Sequence, residues 1–375
     1  MQPSKKKKLK FFIVAGEASG DLHGARLIRE IKQLHSDSTF LGLGGPMLQK
    51  EGVNLVEQIT NLSYVGFTEV IKHLPFFRRL MRQTIQTIKK FQPDHIILID
   101  YPGFNLRLAK RCRDLNIPIT YFILPQVWAW KEKRVKIIRQ YIHQALCILP
   151  FEQAWFSSRG ITTEFVGHPF AEPNPPKLDK LSFFSKHGIN VHDPVLGLFP
   201  GSRQQEIDRH WPTFMSTVLR LQKQIPGLKA IVGKSELVNI PDHTNNILIE
   251  KTNPQLVLHY STAAIVASGS ATLEAAVLKI PIIVCYKLST VTWLLIKRMS
   301  SVKYASLVNL IADKPVVPEF LQADLQSDKM ADTLVALINN TTDRKTMLRN
   351  YSRIKKKLGS PGVYRRAAKS VLKYH

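Results

Sequence analysis

Apolar residues in this chain fall into short solid blocks separated by longer stretches in which they recur every three or four positions. In the first part the blocks are Lys10–Ala15, Phe40–Leu43, His95–Ile99, Ile119–Ile123, Ala145–Leu149 and Phe165–Val166. After them come Val195–Phe199, Lys229–Val232, Asn246–Ile249, Ala263–Ala267 and Ile282–Val284. A solid block too short for a helix marks a strand buried on both faces, as in a parallel sheet, and the helical spacing between blocks marks the helices that cover it. The spacing predicts helices from Leu22 through Leu27, Ile28 and Ile31, over Gln204–Gln224, and over Val291–Met299. This alternation runs through the chain twice, so the expected class is α/β, two Rossmann-like domains facing a cleft. Four prolines among the polar residues of Pro169–Pro176 set the linker, giving domains at 1–170 and 171–342. The last segment, 343–375, reads as helices that return to the first domain.

Small residues collect where strands end. Ala-Ser-Gly-Ser-Ala-Thr-Leu-Glu (267–274) reads as a strand end, a tight turn and a helix start. The unpaired N–H groups of a first helical turn attract phosphate, and Ser268, Gly269, Ser270, Ala271 and Thr272 let an anion approach the backbone, with Glu274 in reach of ribose hydroxyls. An ordinary strand-to-helix turn is the alternative. Gly16-Glu17-Ala18-Ser19-Gly20-Asp21 follows the first strand in the same way, and Pro200-Gly201-Ser202-Arg203 follows the first strand of the second domain, where a guanidinium can fork onto diphosphate oxygens. Neither GxGxxG nor a Walker loop is present, which argues against a nicotinamide enzyme, and no small-residue turn spells GxSxG, which argues against a serine hydrolase. Asp100 ends a buried strand, where carboxyl ends face a ligand crevice; capping the next helix is its other possible role. Trp128 and Trp130 are core filler or the wall of an acyl or sugar site. Asn309, Glu319 and Gln322 bind sugar or phosphate, or cap turns, and His168 lies at the hinge.

Charge adds a partner to this picture. The formal net charge is +25, yet residues 172–287 hold twelve Lys/Arg against nine Asp/Glu, so the excess belongs to the first half and the last quarter. The strongly basic run from Arg344 to Lys373 matches the first half, which is why 343–375 is expected to return there. Nucleic acid and an anionic membrane surface compete as partners. Between Tyr64 and Arg82, Phe67, Val70, Ile71, Leu74, Phe77 and Met81 recur at helical spacing with Lys72, Arg78, Arg79 and Arg82 between them, and Pro75 starts a second helix. Such a stripe either packs on the core or lies in a membrane interface. An RNA module would show an RNP-type aromatic pattern or a GXXG clamp in a KH setting, and neither is found. No apolar run approaches the ~20 residues of a spanning helix. Lys5–Lys8 imitates the flank of a signal peptide, but Lys10 and Glu17 interrupt the apolar part, so it reads as a basic tail before a strand. Cys112, Cys147 and Cys285 are scattered without metal spacing, which suits reduced thiols in a cytosol.

The residues also carry a resemblance. Val-Ala-Gly-Glu-Ala-Ser-Gly-Asp (14–21), Gly-Leu-Gly-Gly-Pro-Met (42–47), Gly-Phe-Thr-Glu-Val (66–70), Ile-Asp-Tyr-Pro-Gly-Phe-Asn (99–105), Gln-Val-Trp-Ala-Trp (126–130), Leu-Pro-Phe-Glu (149–152), Val-Gly-His-Pro (166–169), Pro-Gly-Ser-Arg (200–203), the 267–274 stretch and Asn-Leu-Ile-Ala (309–312) resemble the lipid-A-disaccharide synthases, in order, from about Phe12 to Gln322. One departure is Gly103, where family members often have a second Asp. The resemblance implies a GT-B glycosyltransferase with a carboxyl-terminal helix returning to the amino-terminal domain. It implies inverting transfer of 2,3-diacylglucosamine from UDP-diacylglucosamine to lipid X, with no metal or cofactor and no nucleic acid. It further implies a cytoplasmic protein, peripheral at the inner face of the inner membrane, and in some members a homodimer exchanging carboxyl-terminal segments. Within that reading Asp100 is the first choice for the base, with Glu17 and Asp21 as alternatives. Gly16, Ser19, Gly20, Ser202, Arg203, Ser268–Thr272, Glu274 and Asn309 are expected to hold the donor. Phe67, Val70, Leu74, Phe77, Trp128, Trp130, His168, Glu319 and Gln322 are expected on the acceptor or membrane side.

Overall fold

The computed structural model describes residues 8–58, 74–234, 238–241, 247–299, 302–339 and 341–375. The chain divides into two units, Met1–Glu172 with Leu358–His375, and Pro173–Lys357. The first holds strands β1 (Leu9–Ala15), β2 (Ser38–Gly44), β3 (Asn54–Gln58), β4 (His95–Ile99), β5 (Ile119–Phe122), β6 (Gln144–Cys147) and β7 (Thr163–Phe165). They form one parallel sheet in the order β3-β2-β1-β4-β5-β6-β7. Its strands are solidly apolar because both faces are covered: Phe11, Ile13 and Ala15 enter one core, while Phe12 and Val14 enter the other. Helices Leu74–Phe91, Pro102–Arg111 and Val135–Tyr141 cover the second face. Helix Leu74–Phe91 opens next to Pro75, as the sequence predicts.

The first face is closed by helix Ala18–Leu34 together with helix Val363–Leu372, which buries Val363, Tyr364, Ala367, Ala368 and Val371. Glu172 caps that last helix, accepting hydrogen bonds from the N–H groups of Gly362 (2.9 Å) and Val363 (2.6 Å). Each large buried apolar side chain contributes about 1.5–3 kcal/mol, so detaching this helix would forfeit much of the ~5–15 kcal/mol that stabilises a typical domain.

The second unit holds β8 (Val195–Phe199), β9 (Lys229–Gly233), β10 (Ile247–Glu250), β11 (Ala263–Ala267), β12 (Ile282–Tyr286) and β13 (Glu319–Leu321), all parallel, in the order β10-β9-β8-β11-β12-β13. Each sheet therefore reverses its strand order once, at β1/β4 and at β8/β11, and the carboxyl ends flanking such a reversal are where open α/β sheets bind ligands.

Some extents differ from expectation. Charge assigned everything after 342 to the first domain, but helix Thr342–Lys357 belongs to the second unit. It buries Met347, Tyr351 and Ile354 and packs against helices Ser270–Leu278 and Leu307–Ala312; the apolar stripe decides where it sits, and its exposed lysines do not. The return begins at Leu358. The half-buried edge strand β3, Asn-Leu-Val-Glu-Gln, is too polar to read as a strand from sequence. All three cysteines are buried free thiols.

Candidate functional site

The first reversal is built on Asp100. It follows β4 with φ 44°, and Tyr101 follows with φ 48°, two successive non-glycine residues in the left-handed region. Each such residue costs on the order of 1–2 kcal/mol and persists only where its surroundings hold it. The fully buried Asn105 does the holding: its amide donates to the carbonyls of Ile99 (3.1 Å) and Asp100 (2.7 Å). The Tyr121 hydroxyl donates to the same Asp100 carbonyl at 2.5 Å. Burial, and then the negative charge of Glu17, pushes the Asp100 carboxyl up to about 6, against a smaller opposing pull from the Tyr101 N–H. Glu17 comes from the neighbouring turn, because β1 and β4 run side by side with Ala15 paired to Ile99. In that turn Gly16 must be glycine: a Cβ there would lie 2.2 Å from the Tyr101 ring. Glu17 and Ser19 are exposed and Gly20 is buried beside Ala15 and Ile99.

The second reversal offers main-chain donors. After β8 the Glu206 carboxylate accepts from the N–H groups of Ser202 (3.0 Å) and Arg203 (3.3 Å), which fixes the turn at the start of helix Gln204–Gln224. Arg203 touches the same carboxylate at 3.5 Å with its side chain 72% exposed, so most of its donors face solvent. His210 ties this turn to the end of β12: its Nε2 accepts the Lys287 N–H at 2.9 Å, which leaves Nδ1–H to donate to the Pro200 carbonyl at 2.7 Å. Burial lowers its pKa and keeps this neutral tautomer.

Alongside, β11 is followed by Ser268, whose hydroxyl donates to the Ala305 carbonyl at 2.7 Å. Gly269 then adopts φ +137°, a conformation other residues rarely reach. The buried Thr272 donates its hydroxyl to the Gly269 carbonyl at 2.8 Å, and among the described residues no acceptor takes the N–H of Ser270 or Ala271. These are the orphan donors of a helix start, a ready anion site. One turn on, Glu274 is half-buried without a hydrogen-bond partner among the described residues, and burial raises its pKa.

Other candidates have internal roles. Asp21 is 2% exposed and accepts from the N–H groups of Gly45 (2.7 Å), Met47 (2.9 Å) and Leu48 (3.1 Å), capping helix Pro46–Lys50; its oxygens are engaged, which corrects its candidacy as a base. Glu319 accepts from Ala305 N–H, Ser306 N–H and hydroxyl, and the Asn309 amide, while Asn309 Oδ1 accepts from Val316 and Val317 N–H. The pair locks the loops around helix Leu307–Ala312; the Asn309 amide has both donors and its oxygen engaged, which corrects its place in the donor site, while Glu319 Oε2 takes a single N–H. The Gln322 amide brackets the main chain of Leu288, donating to its carbonyl and accepting its N–H. Trp128 is buried with its indole N–H on Glu152 at 3.0 Å, whereas Trp130 is exposed, with the Lys131 ammonium 4.3 Å from its ring centre. His168 is a buried turn residue: it accepts the Phe170 N–H at 3.0 Å, its own N–H donates to the Leu358 carbonyl at 2.8 Å, and burial lowers its pKa to about 3. Phe77 is half-buried on the second core face and Leu74 opens its helix; Phe67 and Val70 lie outside the described residues.

Sequence reasoning passed over Asn105, Glu206 and His210. Asn105 and His210 had a faint signal, a polar residue at a buried position of a helix near a ligand loop, and Glu206 had capping-box spacing three residues after Arg203. Among the described residues no group of three or more His, Cys, Asp or Glu is placed to hold a metal ion.

Residues 11–373 match the family described as lipid-A-disaccharide synthetase. The chain is 35% identical over 371 residues to the lipid-A-disaccharide synthase of Myxococcus xanthus strain DK1622, covering 97% of each chain. It is 36% identical over 357 residues to lipid-A-disaccharide synthase 1 of Legionella pneumophila strain Lens, covering 93% of each. Among solved structures it is similar to a UDP-GlcNAc 2-epimerase from Neisseria meningitidis bound to UDP-GlcNAc, with a TM-score of 0.68 at 11% identity, covering 97% of this chain and 100% of that one. That likeness shows the fold alone, two Rossmann-like domains on the GT-B plan. Family match, extent of identity and fold agree, and the chain belongs to the lipid-A-disaccharide synthase family.

Proposed function

We propose that this chain transfers 2,3-diacylglucosamine from UDP-2,3-diacylglucosamine to 2,3-diacylglucosamine 1-phosphate (lipid X), forming the β-1,6 disaccharide 1-phosphate and UDP. The observation that carries the residue assignment is Asp100, a strained, half-buried carboxylate at the end of a central strand with its pKa raised to about 6. A base near neutrality combines the deprotonated state with useful proton affinity. In this reading Asp100 takes the proton from the acceptor 6-hydroxyl as that oxygen attacks the anomeric carbon. The bond to the UDP oxygen breaks on the opposite face, so the configuration inverts. The departing diphosphate is neutralised by the Ser270 and Ala271 N–H groups and the Arg203 guanidinium, and Glu274 accepts from the ribose hydroxyls. Glu17 raises the proton affinity of Asp100 through its charge.

Both substrates carry acyl chains, so they are met at a bilayer surface. No described helix is long and apolar enough to cross a membrane. The reading therefore includes peripheral attachment at the inner face of the inner membrane through basic residues, among them those of helix Leu74–Phe91. Purified protein incubated with both substrates on anionic vesicles is expected to give one disaccharide 1-phosphate per UDP, identified by mass, with vesicle co-sedimentation that weakens as salt rises. UDP release without a disaccharide, or no turnover of this pair at all, removes the reading.

A further inference from the structure

Beside the Asp100 turn the first unit contains a pocket of about 960 Å³ that the mechanism above leaves unused. Helix Leu74–Phe91 contributes Arg78 and Arg82, four residues apart, and helix Pro102–Arg111 contributes Arg107, Lys110 and Arg111, at spacings of three and four. Residues so spaced share a helix face, so two basic stripes border one hollow. Among the described residues no carboxylate pairs with any of these five side chains; the single acid on the wall, Asp114, is engaged by Arg113 at 3.1 Å. Like charges gathered this way repel, and a fold has no reason of its own to collect them. The inner wall is apolar, with Met81 and Phe104 almost fully buried, and Tyr101 and Gly103 lie within three residues of Asp100. A flat membrane-facing patch would need the charge and not the hollow, whose size is that of a small-molecule site.

We infer that this pocket receives the acceptor, with the phosphomonoester of the acylated sugar held by Arg82, Arg107 and Lys110 and the first carbons of its acyl chains against Phe77, Met81 and Phe104. The inference rests on the proposed reaction and deepens it. The phosphate on C1 and the reactive 6-hydroxyl flank the ring oxygen at a separation the ring limits, so gripping the first at the basic rim restricts the second to the neighbourhood of the turn that carries Asp100. Phosphate recognition then orients the acceptor as well as binding it, because guanidinium and ammonium donors are strongest toward a doubly charged phosphomonoester.

The test is equilibrium binding in neutral detergent micelles, using the full chain and two acceptors, 2,3-diacylglucosamine 1-phosphate and the same lipid with its phosphate removed. Wild type is expected to bind the phosphorylated acceptor about 30-fold more tightly, the scale of two or three charge-assisted bonds. The triple variant Arg82→Gln, Arg107→Gln, Lys110→Gln replaces exposed helical residues by good helix formers and is expected to lose that preference while binding the dephosphorylated lipid within about twofold of wild type. Equal weakening toward both acceptors, or an intact phosphate preference, overturns the pocket assignment. So does a variant with unchanged acceptor binding that no longer sediments with anionic vesicles, which would make the cations a general membrane contact. Because binding is read without turnover, a wild type that binds with the expected preference yet forms no disaccharide would count against the proposed reaction and not against the pocket.

Discussion

Both units run the same strand order through a single reversal, and each ends two adjacent strands in a pair of turns, yet what those turns present is opposite in kind. At β1/β4 the chemistry is carried by side chains: a carboxylate disfavoured as an anion by burial and by Glu17, in a backbone that Asn105 and Tyr121 hold left-handed. At β8/β11 it is carried mostly by the backbone, with open N–H groups at Ser270 and Ala271 and a solvent-facing Arg203, all of which favour an incoming negative charge. In the proposed reaction one architecture thus supplies a proton acceptor from one copy and an anion receptor from the other. The acceptor depends on a single residue and its supports, whereas the receptor depends on a turn shape that several small residues could provide.

The largest test of this contrast is Asp100→Asn. If one side chain carries the chemistry of the first unit, kcat falls by about a thousandfold while UDP affinity is unchanged, measured by turnover and titration calorimetry. Near-normal kcat would dismiss Asp100 as the base. The variant is expected to melt no lower than wild type, because asparagine tolerates the left-handed region and brings no charge to bury. In the wild type kcat/KM should fall tenfold per unit below about pH 6, since the base must be ionised. The folded pKa lies above the ordinary 3.8, so the folded state binds more protons and wild-type stability declines as pH rises from 3.8 to about 6. Asn at 100 removes that decline.

A smaller effect is expected across the second pair of turns. Arg203→Ala should weaken UDP binding by about 10- to 100-fold, the loss of one or two charge-assisted bonds, with acceptor binding untouched. Normal UDP affinity would take Arg203 out of the donor site. Smallest is Glu274→Gln, which should cost about three- to tenfold toward UDP and nothing toward an analogue lacking both ribose hydroxyls. An equal loss with both ligands would mean that Glu274 supports the helix and not the ribose.

Most strands could be read from the chain because parallel strands buried on both sides have no polar face to blur them; Phe11–Ala15 and Ala263–Ala267 are of this kind. Helix Gln204–Gln224 was equally plain, its apolar stripe running through Ile207, Trp211, Phe214, Val218 and Leu221. What could not be read depends on contacts between distant residues. Nothing local in Glu319 says that it accepts four hydrogen bonds from the Ala305–Asn309 segment, or in Asp21 that it caps a helix more than twenty residues away. Net charge misled at Thr342–Lys357 because lysines tolerate any solvent-facing position, while Met347, Tyr351 and Ile354 tolerate only a core. The ligand turns were legible as turns; the left-handed strain at Asp100 and Tyr101 depends on Asn105 and the distant Tyr121, and the basic hollow beside them emerges only when two helices are brought together.

Helix Val363–Leu372 has a further consequence, for how the protein is made. The first unit cannot seal one side of its sheet until residue 371 has left the ribosome, so the half that starts synthesis first is completed last, after the second half has had time to fold. A fragment cut at 172 would uncover Phe122, which packs on Tyr364, and Phe11, which packs on His375, and should aggregate, whereas 173–357 is contiguous and keeps its own interior.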